Sequence, residues 1–220
     1  MTVHGRRETH PAREAPRVRD MPAPRRSESA AGGAMQRVFA WPYRGILAFL
    51  LWTGVRPWQL SLLSLGLTAV TGVLIVTGHW LAAGIVLIFA GACDVFDGSV
   101  ARHRGEARRS GAFMDSVLDR VSDMILFSCL FWRLAADGHT VEAALALITL
   151  VVSLAVSHLR AEAEAAGVTL SEGLFQRLER VLALIVGLLV PGAMLPVLVA
   201  LSVLGVITLV QRVSLALRGA

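Results

Sequence analysis

Six apolar blocks run along the chain, at residues 58–78, 81–102, 111–135, 141–163, 175–191 and 193–213. Each approaches the twenty or so apolar residues that carry a helix across a bilayer. Short breaks separate most of them: Gly78-His79-Trp80, residues 136–140, and Pro191-Gly192. Longer polar stretches occupy 103–110 and 164–178. The pattern predicts an all-α integral membrane protein with six transmembrane helices, a domain spanning residues 57–215.

Two different segments precede the blocks. Residues 1–36 are rich in Arg, Pro, Glu, Ala and Ser and read as a disordered tail. No apolar run follows the Arg6-Arg7 or Arg25-Arg26 pair at signal-peptide distance, so cleavage and export are not expected. Residues 37–56 mix aromatic and aliphatic side chains with arginines: Arg37, Trp41, Tyr43, Arg44 and Trp52. The apolar stretch 46–51 is too short to span, while Trp and Tyr favour the headgroup level. An amphipathic helix lying in the interface is expected there.

Composition agrees with a membrane class: 55% of the 220 residues are hydrophobic and mean hydropathy is +0.64. The net charge is +5, and every basic residue is an arginine. The excess sits in the tail and the short loops, which suits an anionic membrane surface rather than nucleic acid. Arg102, Arg104, Arg108, Arg109, Arg160, Arg177, Arg180, Arg212 and Arg218 fall on one side with the tail; the other side has only Arg133. That bias predicts both termini on the cytoplasmic side of a cell membrane, as an even number of spans requires. Cys93 and Cys129 lie inside apolar blocks without a CxxC spacing and read as packing residues.

Charge inside the blocks is where chemistry enters. Asp94 and Asp97 stand three apart on the second block, and Asp115 and Asp119 four apart on the third. Both spacings put a carboxylate pair on one helix face. The connection between them is short and contains Gly105, so the two helices are antiparallel neighbours whose pairs converge. Each aspartate at a helix centre costs about 2.5–3.5 kcal/mol on insertion, and four together repel one another. Ion pairing to Arg102 and Arg120 offsets some of that charge without accounting for the regular spacing. Divalent cations favour carboxylate oxygens, and Mg²⁺ is commonly shared between carboxylates and substrate phosphates. Metal with phosphate is therefore the chemistry expected of the residues, and a two-metal site could activate both the attacking and the leaving oxygen of a phosphoryl transfer. A transporter would need polar residues through several spans and a broken helix pair, and neither is visible.

The segment reads Asp94-x2-Asp97-Gly98-x2-Ala101-Arg102-x8-Gly111-x3-Asp115-x3-Asp119. It resembles the signature of the CDP-alcohol phosphotransferase (CDP-alcohol phosphatidyltransferase) family at every defined position. The resemblance implies transfer of a phosphatidyl group from CDP-diacylglycerol to an alcohol, with release of CMP. It implies metal, Mg²⁺ or Mn²⁺ and two ions, on Asp94, Asp97 and Asp115, with Asp119 as general base also touching metal. Gly98, Ala101, Arg102 and Gly111 take the positions that hold cytidine diphosphate. A homodimer is likewise implied by the family.

Further on, Ser157-His158-Leu159-Arg160-Ala161-Glu162-Ala163-Glu164 and Arg177-Leu178-Glu179-Arg180 are similar to the acceptor segments of prokaryotic inositol-phosphate-using members. The likeness makes Ser157, Arg160, Arg177 and Arg180 acceptor residues, with His158 and Glu162 replacing a Tyr and a basic residue of the pattern. The implied acceptor is a phosphorylated polyol, inositol phosphate or glycerol 3-phosphate. The alternative is an unphosphorylated one: inositol, serine or a lipid such as phosphatidylglycerol.

Overall fold

The computed structural model describes residues 30–105, 109–166 and 177–219. The described residues form seven helices and no strand. The first, α1 (Ala30–Thr53), belongs to a unit of its own that ends at Val55. It starts before the expected residue 37, since Ala30 and Ala31 are helix formers placed just ahead of the aromatic stretch. Ile46, Phe49 and Trp52 form an exposed apolar stripe along it, and the Phe49 and Trp52 rings lie 6.2 Å apart. The expected tail lies outside the described residues as far as position 29.

The second unit holds α2 (Pro57–Val76), α3 (Trp80–His103), α4 (Arg109–Ala136), α5 (Thr140–Ala165), α6 (Arg177–Leu189) and α7 (Met194–Gly219). These match the six apolar blocks in order. Four of them, α2, α3, α5 and residues 194–215 of α7, are long and apolar enough to cross a membrane. Helix α4 carries Asp115, Asp119, Arg120, Asp123 and Arg133, too many charges for that measure. The 13 described residues of α6 rise only about 20 Å, short of a bilayer's apolar thickness.

The helices close a ring. Helix α2 packs on α3 and α4, α4 on α5, α5 on α7, α7 on α6, and α6 back on α3. Leu87, Phe127, Leu130, Leu184, Leu198 and Leu201, all fully buried, fill its centre. Large apolar side chains such as Phe89, Trp132, Val151 and Val210 face outward, the inverse of a water-soluble bundle.

Close approach depends on small residues. A Cβ on Gly84 would lie 2.5 Å from Leu189 of α6, and one on Gly205 would lie 2.9 Å from Val152 of α5. Buried hydroxyls are paired: Ser64 donates to the Ala90 carbonyl, and Thr149 meets Ser202 at 3.0 Å. Cys93 and Cys129 are free and half-buried.

Two turns away from the aspartates share one solution. Gly78 and Gly138 both adopt positive φ, and His79 and His139 donate backbone bonds to Leu74 and Leu134. That is the glycine-terminated helix end in which the orphan carbonyls are recaptured. Arg133 seals the first of these turns, bonding the Val76 carbonyl and pairing with Asp137 at 2.8 Å.

Candidate active site

Helices α3 and α4 bring the two carboxylate pairs together at the end of the bundle marked by the 103–110 connection. Asp94, Asp97 and Asp115 each offer an oxygen, and these three atoms lie within 4.8 Å of one another. Asp97 is buried, Asp94 half-buried and Asp115 exposed, so the group runs from the bundle interior to its surface. The convergence expected from the i+3 and i+4 spacings is met for these three.

Asp119 stands one turn deeper on α4, outside that trio. Its Oδ1 lies 2.5 Å from Arg177 Nη1, and the same nitrogen lies 2.6 Å from Asp94 Oδ2. One guanidinium nitrogen of α6 thus bridges carboxylates of α3 and α4. The three residues of this bridge also line a cavity of about 180 Å³, together with Ser64, Thr68 and apolar side chains such as Leu87, Leu126 and Val181.

Asp97 is held from two sides. Its Oδ1 accepts a hydrogen bond from the Gly98 amide, and its Oδ2 accepts one from Ser61 Oγ of α2 at 2.6 Å. No role for Ser61 follows from the sequence. Its partner lies 36 positions away, and only the packing of α2 on α3 joins them.

The remaining motif residues are placed as follows. Arg102 folds back along α3, donating to Ser99 Oγ at 3.1 Å, and its Nη1 lies 3.2 Å from where a Gly98 Cβ would stand. A side chain at position 98 would therefore push Arg102 aside. Ala101 is half-buried, and Gly111 opens α4 with nothing within 4 Å of its missing side chain. Space is thus open at Gly111, while the ground above Gly98 is taken by the Arg102 guanidinium.

The acceptor candidates divide. Arg177 joins the aspartates. Arg180, one turn further along α6, pairs with Asp123 at 2.8 Å, and Asp123 also accepts a bond from Ser153 Oγ of α5 at 2.6 Å. Arg160 instead points to the surface and pairs with Glu164 at 2.8 Å, while the Ser157 carbonyl accepts a bond from Arg120. Glu162 is exposed and lies 3.9 Å from His158.

Asp123 is the charged residue that sequence reasoning missed. It is 4% exposed and extends the Asp115–Asp119 series by one more i+4 step. A third carboxylate at that spacing on one apolar helix was a visible signal. It lies beyond the end of the recognised motif.

The fold and this site define a class. Residues 55–216 match the model of the CDP-alcohol phosphatidyltransferase family, and the chain belongs to that family. It is a transferase of substituted phosphate groups in phospholipid biosynthesis.

The similarity reaches particular relatives. A phosphatidylinositol phosphate synthase of Corynebacterium glutamicum is 36% identical over 170 residues, covering 74% of this chain and 78% of the relative. An archaetidylinositol phosphate synthase of Methanothermobacter thermautotrophicus is 34% identical over 141 residues, covering 62% and 70%. Among solved structures, the phosphatidylinositol phosphate synthase of Mycobacterium tuberculosis with CDP-DAG bound superimposes with a TM-score of 0.71 at 31% identity. That match covers 78% of this chain and 92% of the other. The same protein has also been solved with manganese and citrate (TM-score 0.68, 30% identity, 78% and 87% covered).

Proposed function

We propose that this chain transfers the phosphatidyl group of CDP-diacylglycerol to a phosphorylated inositol, releasing CMP, with divalent metal held by Asp94, Asp97 and Asp115. The observation that carries the reading is the cluster of those three carboxylates within 4.8 Å beside Asp119 and two arginines of α6. Hard oxygen donors in this number suit Mg²⁺ or Mn²⁺. Metal bound there, one ion or two, would stabilise charge on the departing CMP phosphate.

The chain's own groups supply the rest. Asp119 takes the proton of the attacking hydroxyl, since an alcohol is a weak nucleophile until its proton is accepted. The small residues Gly98, Ala101 and Gly111 leave room for the cytidine diphosphate once Arg102, which covers Gly98, turns to meet it as a cation. Arg177 and Arg180, with Ser157 and Arg160 nearer the surface, receive the acceptor and its phosphate. In this reading all six helices of the second unit span the cell membrane. Helix α1 rests on the interface, and both termini lie with the site on the cytoplasmic face. A water-soluble acceptor and an acyl-chained donor then meet at the boundary.

Ser61 gains a role. Its hydrogen bond aims one oxygen of Asp97, and loss of such an outer partner commonly weakens metal binding ten- to a hundredfold. Ser61→Ala should therefore lower Mn²⁺ affinity by about tenfold while the bundle stays folded. A Mn²⁺ titration of the purified variant checks it, and unchanged affinity removes Ser61 from the site.

One observation keeps a second acceptor in view: Glu162 places a negative charge in the acceptor segment. Unphosphorylated inositol or serine would tolerate it better than a phosphate ester does. Purified enzyme given CDP-diacylglycerol and one acceptor at a time (inositol phosphate, glycerol 3-phosphate, inositol, serine) separates these. The highest kcat/KM is expected for inositol phosphate; equal or faster turnover of free inositol would overturn the phosphorylated acceptor.

A further inference from the structure

Arg177 stands where two demands conflict. Its Nη1 lies 2.6 Å from Asp94 Oδ2 and 2.5 Å from Asp119 Oδ1. Asp94 is at the same time one of the three aspartates whose oxygens converge within 4.8 Å. A divalent cation seated among those oxygens would find a guanidinium already on one of its ligands. Two cations sharing one carboxylate repel strongly where protein has displaced water.

The guanidinium is also incompletely served. Its side chain is 20% exposed, and its Nε is buried with no hydrogen-bond partner among the described residues. The planar guanidinium fork binds best when two of its N–H groups meet two oxygens of one anion, as a phosphate allows and the present contact through a single nitrogen does not. Arg177 therefore gains by leaving the aspartates for a phosphate once another cation takes over their charge. The opposite holds in the absence of metal, when Asp94 and Asp119 would lie close together without a counterion.

We propose that Arg177 is the resident cation of the unloaded site. It caps Asp94 and Asp119, yields Asp94 to the divalent metal, and is thereby released to position the acceptor's phosphate. Metal binding then also uncaps Asp119. This rests on the metal and phosphorylated-acceptor reading above and adds the coupling between them. Linkage makes the coupling reciprocal: metal tightens acceptor binding by the factor with which acceptor tightens metal binding.

The test is a Mn²⁺ titration of the purified full chain by electron paramagnetic resonance, without CDP-diacylglycerol, comparing wild type with Arg177→Gln. With its competitor gone, the variant should bind Mn²⁺ about tenfold more tightly. A second measurement, inositol phosphate binding to wild type with and without Mn²⁺, should show at least about fivefold tighter binding with the metal. That enhancement should shrink in Arg177→Gln. Equal or weaker Mn²⁺ affinity in the variant overturns the competition and leaves the metal site standing. Equal inositol phosphate affinity with and without Mn²⁺ in wild type overturns the coupling, and decides the matter alone if the variant does not fold. Absence of Mn²⁺ binding in both proteins removes the metal reading itself, and this inference with it.

Discussion

Asp119→Asn should lower kcat by at least about a hundredfold while the protein stays folded, because the amide keeps the carboxylate's shape but cannot accept a proton. Asp119 sits beside the aspartate trio, at the polar part of a cavity that Asp94 also lines. A hydroxyl brought there would find it a carboxylate outside the metal cluster, able to accept its proton. The variant also removes one of the two carboxylates on Arg177, so acceptor binding should change less than turnover does. CMP release at saturating substrates measures the effect, with the thermal melting curve as the control for folding. Activity within tenfold of wild type would remove Asp119 as the base.

The largest effect on stability belongs to Asp123. Its side chain is 6% exposed and its partner Arg180 11%, and both lie among apolar helices. Breaking a buried ion pair from one side strands the other charge, at a cost of about 3–5 kcal/mol. Ser153 would also lose its acceptor, adding a buried unsatisfied hydroxyl. Asp123→Ala should therefore lower the melting temperature in detergent well below that of Asp119→Asn. The two aspartates are one helical turn apart, yet one variant should fail in catalysis and the other in folding. If Asp123→Ala melts with wild type, the pair contributes little and Arg180 tolerates burial alone.

Much of this was legible in the chain because charge inside an apolar run is expensive. Asp94, Asp97, Asp115 and Asp119 stand out by cost and spacing, independently of any family likeness. The short 103–110 connection implied that α3 and α4 pack side by side. Among the described residues they do not: α2 packs against both, and the carboxylates of α3 and α4 converge without direct helix packing. Helix ends were legible too, since Gly78 and Gly138 mark the turns where the backbone needs positive φ. The closure of the ring was not. Which helix packs on which depends on glycines such as Gly84 meeting Leu189, a contact between positions 105 apart.

The same reason hid the partners of the charged residues. Ser61 and Asp97, Ser153 and Asp123, and Arg177 and Asp94 are each joined only by tertiary packing. Sequence likeness placed Arg177 and Arg180 with the acceptor. The structure adds what sequence does not show: Arg177 pairs with Asp94 and Asp119, and Arg180 with the buried Asp123. Arg160, drawn from the same likeness, faces outward against Glu164, because a polar i+4 pair on an exposed helix face satisfies itself locally.

The central claim is that one reaction joins CDP-diacylglycerol to a phosphorylated inositol at the aspartate cluster. Product analysis tests it most directly: the purified full chain is incubated with CDP-diacylglycerol, inositol phosphate and Mn²⁺, and CMP and lipid are quantified by mass spectrometry. The expected result is CMP and phosphatidylinositol phosphate in equal amounts, with both lost when the metal is chelated. CMP without the phosphorylated lipid, or neither product from folded protein, would contradict it.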